Sequence, residues 1–211
     1  MPLKAQIIPV TPFQQNCALF WDDDTMQATV IDPGGDVDAI LAALAEQKLT
    51  LGNILLTHGH MDHAGGAAEL RERTGVPVTG PHRADALLLD NLEKQGRAYG
   101  LEGARNLVPD SWLAEGDEVS IAGLPFQVLH CPGHSPGSVT FHNLEMKFAV
   151  VGDVLFQGSI GRTDFPYGDH AALISAITTK LLPLGDDIAF ICGHGPGSDF
   201  GTERRSNPFL R

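Results

Sequence analysis

Cysteine, positive charge and long apolar runs are all scarce in this sequence. The three cysteines, Cys17, Cys131 and Cys192, stand far apart and form no CxxC pair. An odd count without a framework argues against a disulfide scaffold and for reduced thiols in a cytoplasmic setting. Lys and Arg number 14 against 26 Asp and Glu, a formal net charge of −12. A bare nucleic-acid backbone is therefore not an expected partner. No apolar stretch approaches a membrane span in length. The opening MPLKAQIIPVTPFQQN has no charged start followed by a long apolar stretch, so no export signal is expected. Linkers, low-complexity tracts and internal repeats are missing too. The expectation is a cytoplasmic protein with no nucleic-acid, membrane or obligate protein partner.

What is present fits one domain spanning residues 1–211, with 43% hydrophobic residues to fill a core. Twenty-four glycines and 14 prolines punctuate the chain. AQIIPV, CALFW and QATVID read as strands, and residues 36–48 carry Val37, Ile40, Leu41 and Leu44 at helical spacing. NILLT, VPVTG, EVSIAG, FQVLH, SVTFHN, KFAVVG and DIAFICG read as further strands. Helices are expected over 64–75, over the start of 82–100 and over 170–184. The mixture predicts an α/β fold.

Four times, a strand ends at a residue able to bind a metal. NILLT leads to His58, FQVLHCPG to His134, KFAVVG to Asp153 and IAFICG to His194. Strand ends are where α/β proteins assemble sites, and a glycine or proline beside each candidate lets the backbone turn sharply. The stretch LTHGHMDHAGG, residues 56–66, crowds three histidines and an aspartate into six positions. His58 and His60 are two apart, which in extended chain places them on one side, so they can grip one ion. Asp62 and His63 fall at the start of the next helix and can face a second. His134 can complete the first site, His194 the second, and the two oxygens of Asp153 can bridge both. Zinc takes about four such donors and keeps a position for water in catalytic sites, and paired ions can clamp attacking and leaving atoms. Zinc is the first expectation, with iron or manganese sharing such ligands.

THGHMDHAGG resembles the HxHxDH signature of the metallo-β-lactamase superfamily, whose remaining ligands His134, Asp153 and His194 match in order. HCPGHSPGS, VGDVLF and ICGHGPG look like local motifs of its glyoxalase II-like (hydroxyacylglutathione hydrolase) branch. The similarity is to the short bacterial members and runs from the first strands to the SNPFLR tail. It implies an αββα four-layer sandwich with metals at one edge. It also implies hydrolysis of a small-molecule thioester, S-D-lactoylglutathione or a related hydroxyacyl-glutathione, by a hydroxide bridging two ions. Asp62 is expected to be catalytic, holding its metal and orienting that hydroxide. Full-length glyoxalase II carries a helical C-terminal extension that contacts glutathione. Here only Gly195 to Arg211 follow His194, so no such domain is expected and broader thioesterase activity is implied. GRTDF also resembles a loop of persulfide dioxygenases, which bind one iron, and this gives an oxidoreductase alternative. A second alternative, β-lactam hydrolysis, is disfavoured by the missing export signal.

Other residues carry simpler expectations. In GSIGRTDFPYGD, residues 158–169, Arg162 can bind a substrate carboxylate in two-pronged fashion or pair with Asp164 or Asp169; Tyr167 is a second substrate candidate. His82, His142 and His170 read as surface or capping residues, and His130 as packing behind the ligands. The cysteines read as small buried hydrophobes. Arg204 and Arg205 are expected to pair with Glu203.

Overall fold

The computed structural model describes residues 3–211. Two six-stranded sheets form its centre. The first contains β1 (Leu3–Val10), β2 (Gln15–Asp22), β3 (Gln27–Ile31), β4 (Thr50–Leu55), β5 (Val78–His82) and β6 (Ser111–Leu113), side by side in chain order. β1 to β3 pair antiparallel and β3 to β6 parallel. The second contains β7 (Glu118–Ile121), β8 (Leu124–His130), β9 (Val139–Asn143) and β10 (Phe148–Val150). A small hairpin of β11 (Leu155–Phe156) and β12 (Ser159–Ile160) interrupts before β13 (Ala189–Ile191) and β14 (Ser198–Asp199) complete the sheet in the order β14-β13-β10-β9-β8-β7.

The two sheets face each other across Phe20, Ile31 and Leu55 of the first and Val119, Phe126, Val128, Phe141 and Val150 of the second. Phe20, Phe126 and Phe141 are fully buried, and truncating such a ring to alanine costs about 3–5 kcal/mol. The outer face of the first sheet is covered by α1 (Val37–Glu46), α2 (Met61–Ala64), α3 (Ala67–Thr74), α4 (Ala86–Leu89) and α5 (Leu92–Tyr99). The outer face of the second is covered by α6 (His170–Ala176) and α7 (Phe200–Ser206). Helix, sheet, sheet, helix is the αββα order the resemblance implies.

Local departures have local causes. The helix expected over 64–75 is two helices, α2 and α3, separated at Gly65 and Gly66. There the chain passes against the Asp32–Gly35 turn so closely that a Cβ on Gly34 would lie 1.5 Å from the Asp62 carbonyl oxygen. The 82–100 segment breaks at Asp90 and Asn91 into α4 and α5. The 170–184 segment leaves regular α-helix after Ala176, loosening into a π turn over Ile177–Leu181 and tightening to a 3-10 turn at Leu182–Leu184. β6, β14 and α7 are too short or too polar to have shown in the apolar pattern.

Two expectations about single residues are corrected. His142 lies within β9 and is buried, because that strand is paired on both edges, with β8 and β10, and covered on both faces along Val139 to His142. Glu203 does not pair with Arg204 or Arg205, since adjacent helix positions point apart. Its buried carboxylate accepts hydrogen bonds from the Gly158 amide (2.8 Å) and the Asn207 amide (2.8 Å). Arg204 bonds Asp186 instead, at 2.8 Å.

Candidate metal centre

All four predicted strand ends arrive at one edge of the sandwich. β4 runs into Thr57, and His58 and His60 follow in extended chain, with His60 at φ −79°, ψ 151° just before α2. His58 Nε2 lies 3.0 Å from His60 Nδ1, and His134 Nε2 lies 3.0 Å from the same atom. Three imidazole nitrogens from two distant segments therefore converge. Burial drives His58 and His60 well below the ordinary histidine range, and the neighbouring imidazoles add to the effect; His60 is brought to about 3. Such histidines stay neutral, as a metal ligand must be.

Asp62 and His63, carried on α2, meet His194 on the far side. His194 Nε2 is 3.2 Å from Asp62 Oδ2 and 3.4 Å from His63 Nε2. Asp153 stands between the two groups: Oδ2 is 3.5 Å from His134 Nε2 and 3.6 Å from His194 Nε2, and Oδ1 is 3.4 Å from His63 Nε2. Oδ1 is buried yet accepts no hydrogen bond of good geometry. Burial opposes charge on Asp153, but His63, His134 and His194 override it and hold the carboxyl below the usual range. Burial likewise opposes charge on His63, and Asp153 and Asp62 reverse it and raise the imidazole well above its ordinary value. The pocket thus calls for positive charge between its carboxylates. Five imidazoles and two carboxylates, one with an orphaned buried oxygen, fit a pair of divalent ions.

Four of the five imidazoles, those of His58, His60, His63 and His134, are aimed by a contact on the other nitrogen, the usual support of a ligating histidine. His134 Nδ1 donates to the Arg162 carbonyl at 2.9 Å, His58 Nδ1 lies 3.1 Å from the Thr57 hydroxyl, and His63 Nδ1 donates to Asp32 Oδ2 at 2.8 Å. Asp32 also accepts from the Thr57 amide (2.7 Å) and hydroxyl (2.6 Å). Asp32 is close enough to His58 and His63 to form a third ligand grouping, but both its oxygens are already engaged, so it is a support.

Sequence reasoning missed Asp32, which it read as the last residue of the QATVID strand. The signal was there: β3 ends one residue before it, as other strands end at the ligands. Asp85 was missed as well. Its fully buried carboxylate accepts from the Gly59 amide (2.8 Å), the Ser135 hydroxyl (2.7 Å) and the Gly137 amide, tying the His58–His60 loop to the His134 loop. Asn16 pins the third loop, bonding the carbonyls of Cys192 (3.0 Å) and Gly195 (2.8 Å). No sequence signal marks Asp85 or Asn16.

A cavity of about 870 Å³ opens over the cluster, lined by His60, Asp62, His134, Asp153 and His194 and walled by apolar side chains. Arg162 and Tyr167 both line it. The Arg162 guanidinium is held by Asp164 in two bonds of 2.7 Å and lies 4.5 Å from the Phe165 ring centre. The Tyr167 hydroxyl sits 2.7 Å from His60 Nε2, and burial pushes it up to about 12. All three cysteines are buried and free, none in a ligand grouping, and burial raises the Cys131 and Cys192 thiols to about 12. Outside the cluster, His82 caps the turn at Ala84 (3.2 Å) and stacks on His130, ring centres 4.0 Å apart; His170 opens α6 and is exposed.

Comparison with known proteins agrees with this geometry. The chain matches the metallo-beta-lactamase superfamily over residues 10–194. It is 49% identical over 209 residues to hydroxyacylglutathione hydrolase GloC of Haemophilus influenzae, covering 99% of this chain and 98% of the relative. Among solved structures it is similar to BLEG-1 B3 metallo-beta-lactamase, with 38% identity, TM-score 0.88 and 99% of each chain covered. It is also similar to TTHA1623 in a di-iron-bound form, with 38% identity, TM-score 0.87 and coverage of 97% and 100%.

Proposed function

The chain belongs to the metallo-β-lactamase superfamily, and from that premise we propose that it is a metal-dependent thioester hydrolase. Its substrate in this reading is S-D-lactoylglutathione or a related hydroxyacyl-glutathione, and its cofactor two divalent ions, zinc first. The observation that carries the reading is the position of Asp153, within 3.6 Å of ligand nitrogens from both groups and with one buried oxygen unpaired. The 49%-identical relative named as a hydroxyacylglutathione hydrolase supports the substrate class. The di-iron form of TTHA1623 supports a paired centre and keeps iron beside zinc.

His58, His60 and His134 would hold one ion; Asp62, His63 and His194 the other; Asp153 both. Ions bound there supply Lewis acidity and a water acidic enough to ionise near pH ~7. Asp62 would hold its ion and orient the attacking hydroxide. With Nδ1 of His60 given to a ligand role, Nε2 carries the ring hydrogen and donates to Tyr167. The phenol accepts that bond, so its own proton is free to donate to the substrate within the cavity. A thiolate leaves readily, since thiols ionise around pH ~8.5, and no strong general acid is required.

Free buried cysteines support a reducing compartment and hence a cytoplasmic enzyme. No helix among the described residues is long and apolar enough to cross a membrane. The oxidoreductase alternative has less support, because the relative at 49% identity bears a hydrolase name. The test is a side-by-side assay of metal-loaded protein on S-D-lactoylglutathione, a β-lactam, and glutathione persulfide with oxygen uptake followed. Turnover of the thioester well above the β-lactam is expected; oxygen consumption without thioester hydrolysis would overturn the proposal.

A further inference from the structure

The cavity over the metal centre has two cationic side chains in its lining, Lys94 and Arg162. The sequence made Arg162 the candidate for a substrate carboxylate, but its planar fork is already closed on Asp164 by two bonds of 2.7 Å. That leaves only its Nη1 edge open, and the Asp164 carboxylate already offsets its charge, which makes the pair a weak anion site. Lys94 differs. Among the described residues its ammonium makes no ion pair, unlike the Arg162 guanidinium in the same lining. It projects from α5, whose Lys94, Gln95 and Ala98, with Asn91 just before the helix, recur at helical spacing along the cavity wall.

The helix is fixed to the ligand loop itself. Gln95 accepts from the Met61 amide at 3.3 Å and donates to the Gly59 carbonyl at 3.4 Å and the Leu88 carbonyl at 2.8 Å. Gln95 therefore sets the position of α5 beside the ligand loop, and Lys94 is exposed on that helix at the cavity rim. Around it the surface is apolar: Leu87 is 75% and Tyr99 56% exposed at the rim, with Phe156 and Phe165 deeper in. A chain of net charge −12 repels an anionic substrate at long range, so recognition of a carboxylate must come from a local, uncommitted cation.

We propose that Lys94, rather than Arg162, anchors a carboxylate on the thiol portion of the substrate. The substrate class is then a thioester whose carboxylate is separated from the reacting carbonyl by a stretch that lies on apolar wall. This rests on the thioester reading of the site, and the test separates the two by measuring binding without turnover.

The probes are 3-(benzylthio)propanoate and the matching amide, two thioethers that differ by one charge and cannot be hydrolysed. Titrated into metal-loaded wild type, the acid binds about threefold to fivefold more tightly than the amide, as befits a partly exposed ion pair. That preference is lost in Lys94→Gln, returns in Lys94→Arg, and fades as salt is raised. Equal binding of acid and amide by wild type would overturn the proposal. So would a preference that survives Lys94→Gln, whether it then falls with Arg162→Gln or persists through the metals. Failure to hydrolyse any thioester would sink the proposed reaction and leave this binding result standing.

Discussion

Asp32 Oδ2 and His63 Nδ1 are 2.8 Å apart at the floor of the metal centre, both buried. That one contact couples a turn at the end of β3 to a ligand 31 residues later on α2. The aspartate adopts φ 54°, a left-handed conformation that Asp tolerates better than most residues, and so brings its carboxylate back over Thr57.

Asp32→Asn is therefore expected to weaken metal binding by about 10- to 100-fold, as loss of such outer partners does. Chelator competition measures it. Asp32→Ala leaves the Thr57 amide and hydroxyl without their acceptor and is expected to lower stability by about 1–3 kcal/mol as well. Unchanged metal affinity in both variants would remove Asp32 from the centre.

Asp153→Ala is expected to strip metal and abolish turnover, because both ligand groups share its carboxylate. Cys131→Ala is the contrast: a buried thiol raised to about 12 and outside the ligand groupings should leave metal content alone. Elemental analysis of the two purified variants decides the matter.

Gly193→Ala tests the tightness of the His194 loop. A Cβ there would lie 2.0 Å from Asp153 Oδ1 and 2.5 Å from His63 Cε1, so a ligand must move. Reduced metal occupancy at retained folding, read by elemental analysis beside circular dichroism, is the expected outcome.

The pH dependence of the metal-stripped protein has opposing parts. His58 and His60 sit below the ordinary value of 6.5, His60 at about 3, first through burial. Between those limits the unfolded chain binds more protons than the native one, so their contribution to stability falls on acidification through that window. His63 and His194, raised by Asp153 and Asp62 against their burial, act oppositely: their contribution is present below 6.5 and is lost as pH rises through their folded values. His60→Asn isolates the first part. Relative to that variant, wild type should lose stability between about pH 6 and pH 4, by up to about 1.4 kcal/mol per pH unit. Urea titrations of both proteins at each pH give the slope, and an unchanged difference would refute it.

The ligands were readable in the sequence because metal chemistry restricts residue type and because each stands at a strand end beside glycine or proline. The extended HxH and helical DH portions of residues 58–63 announced two faces by spacing alone. The four-layer order could only come from resemblance, since periodicity shows that a strand has a buried face without showing what covers it. Asp85 and Asn16 were invisible for a different reason. They act through carboxylate and amide bonds to backbone of segments 26 to 179 residues away, and no local pattern encodes such a meeting. Arg162 showed both of its uses in sequence, and geometry alone finds its Nε edge paired with Asp164.

The most direct measurement is the number of metal ions per chain in purified protein, taken with thioester hydrolysis on the same sample. Close to two ions, with turnover that disappears on chelation and returns on reloading, is the predicted result. One iron per chain, with no thioester hydrolysis on reloading, would contradict the account.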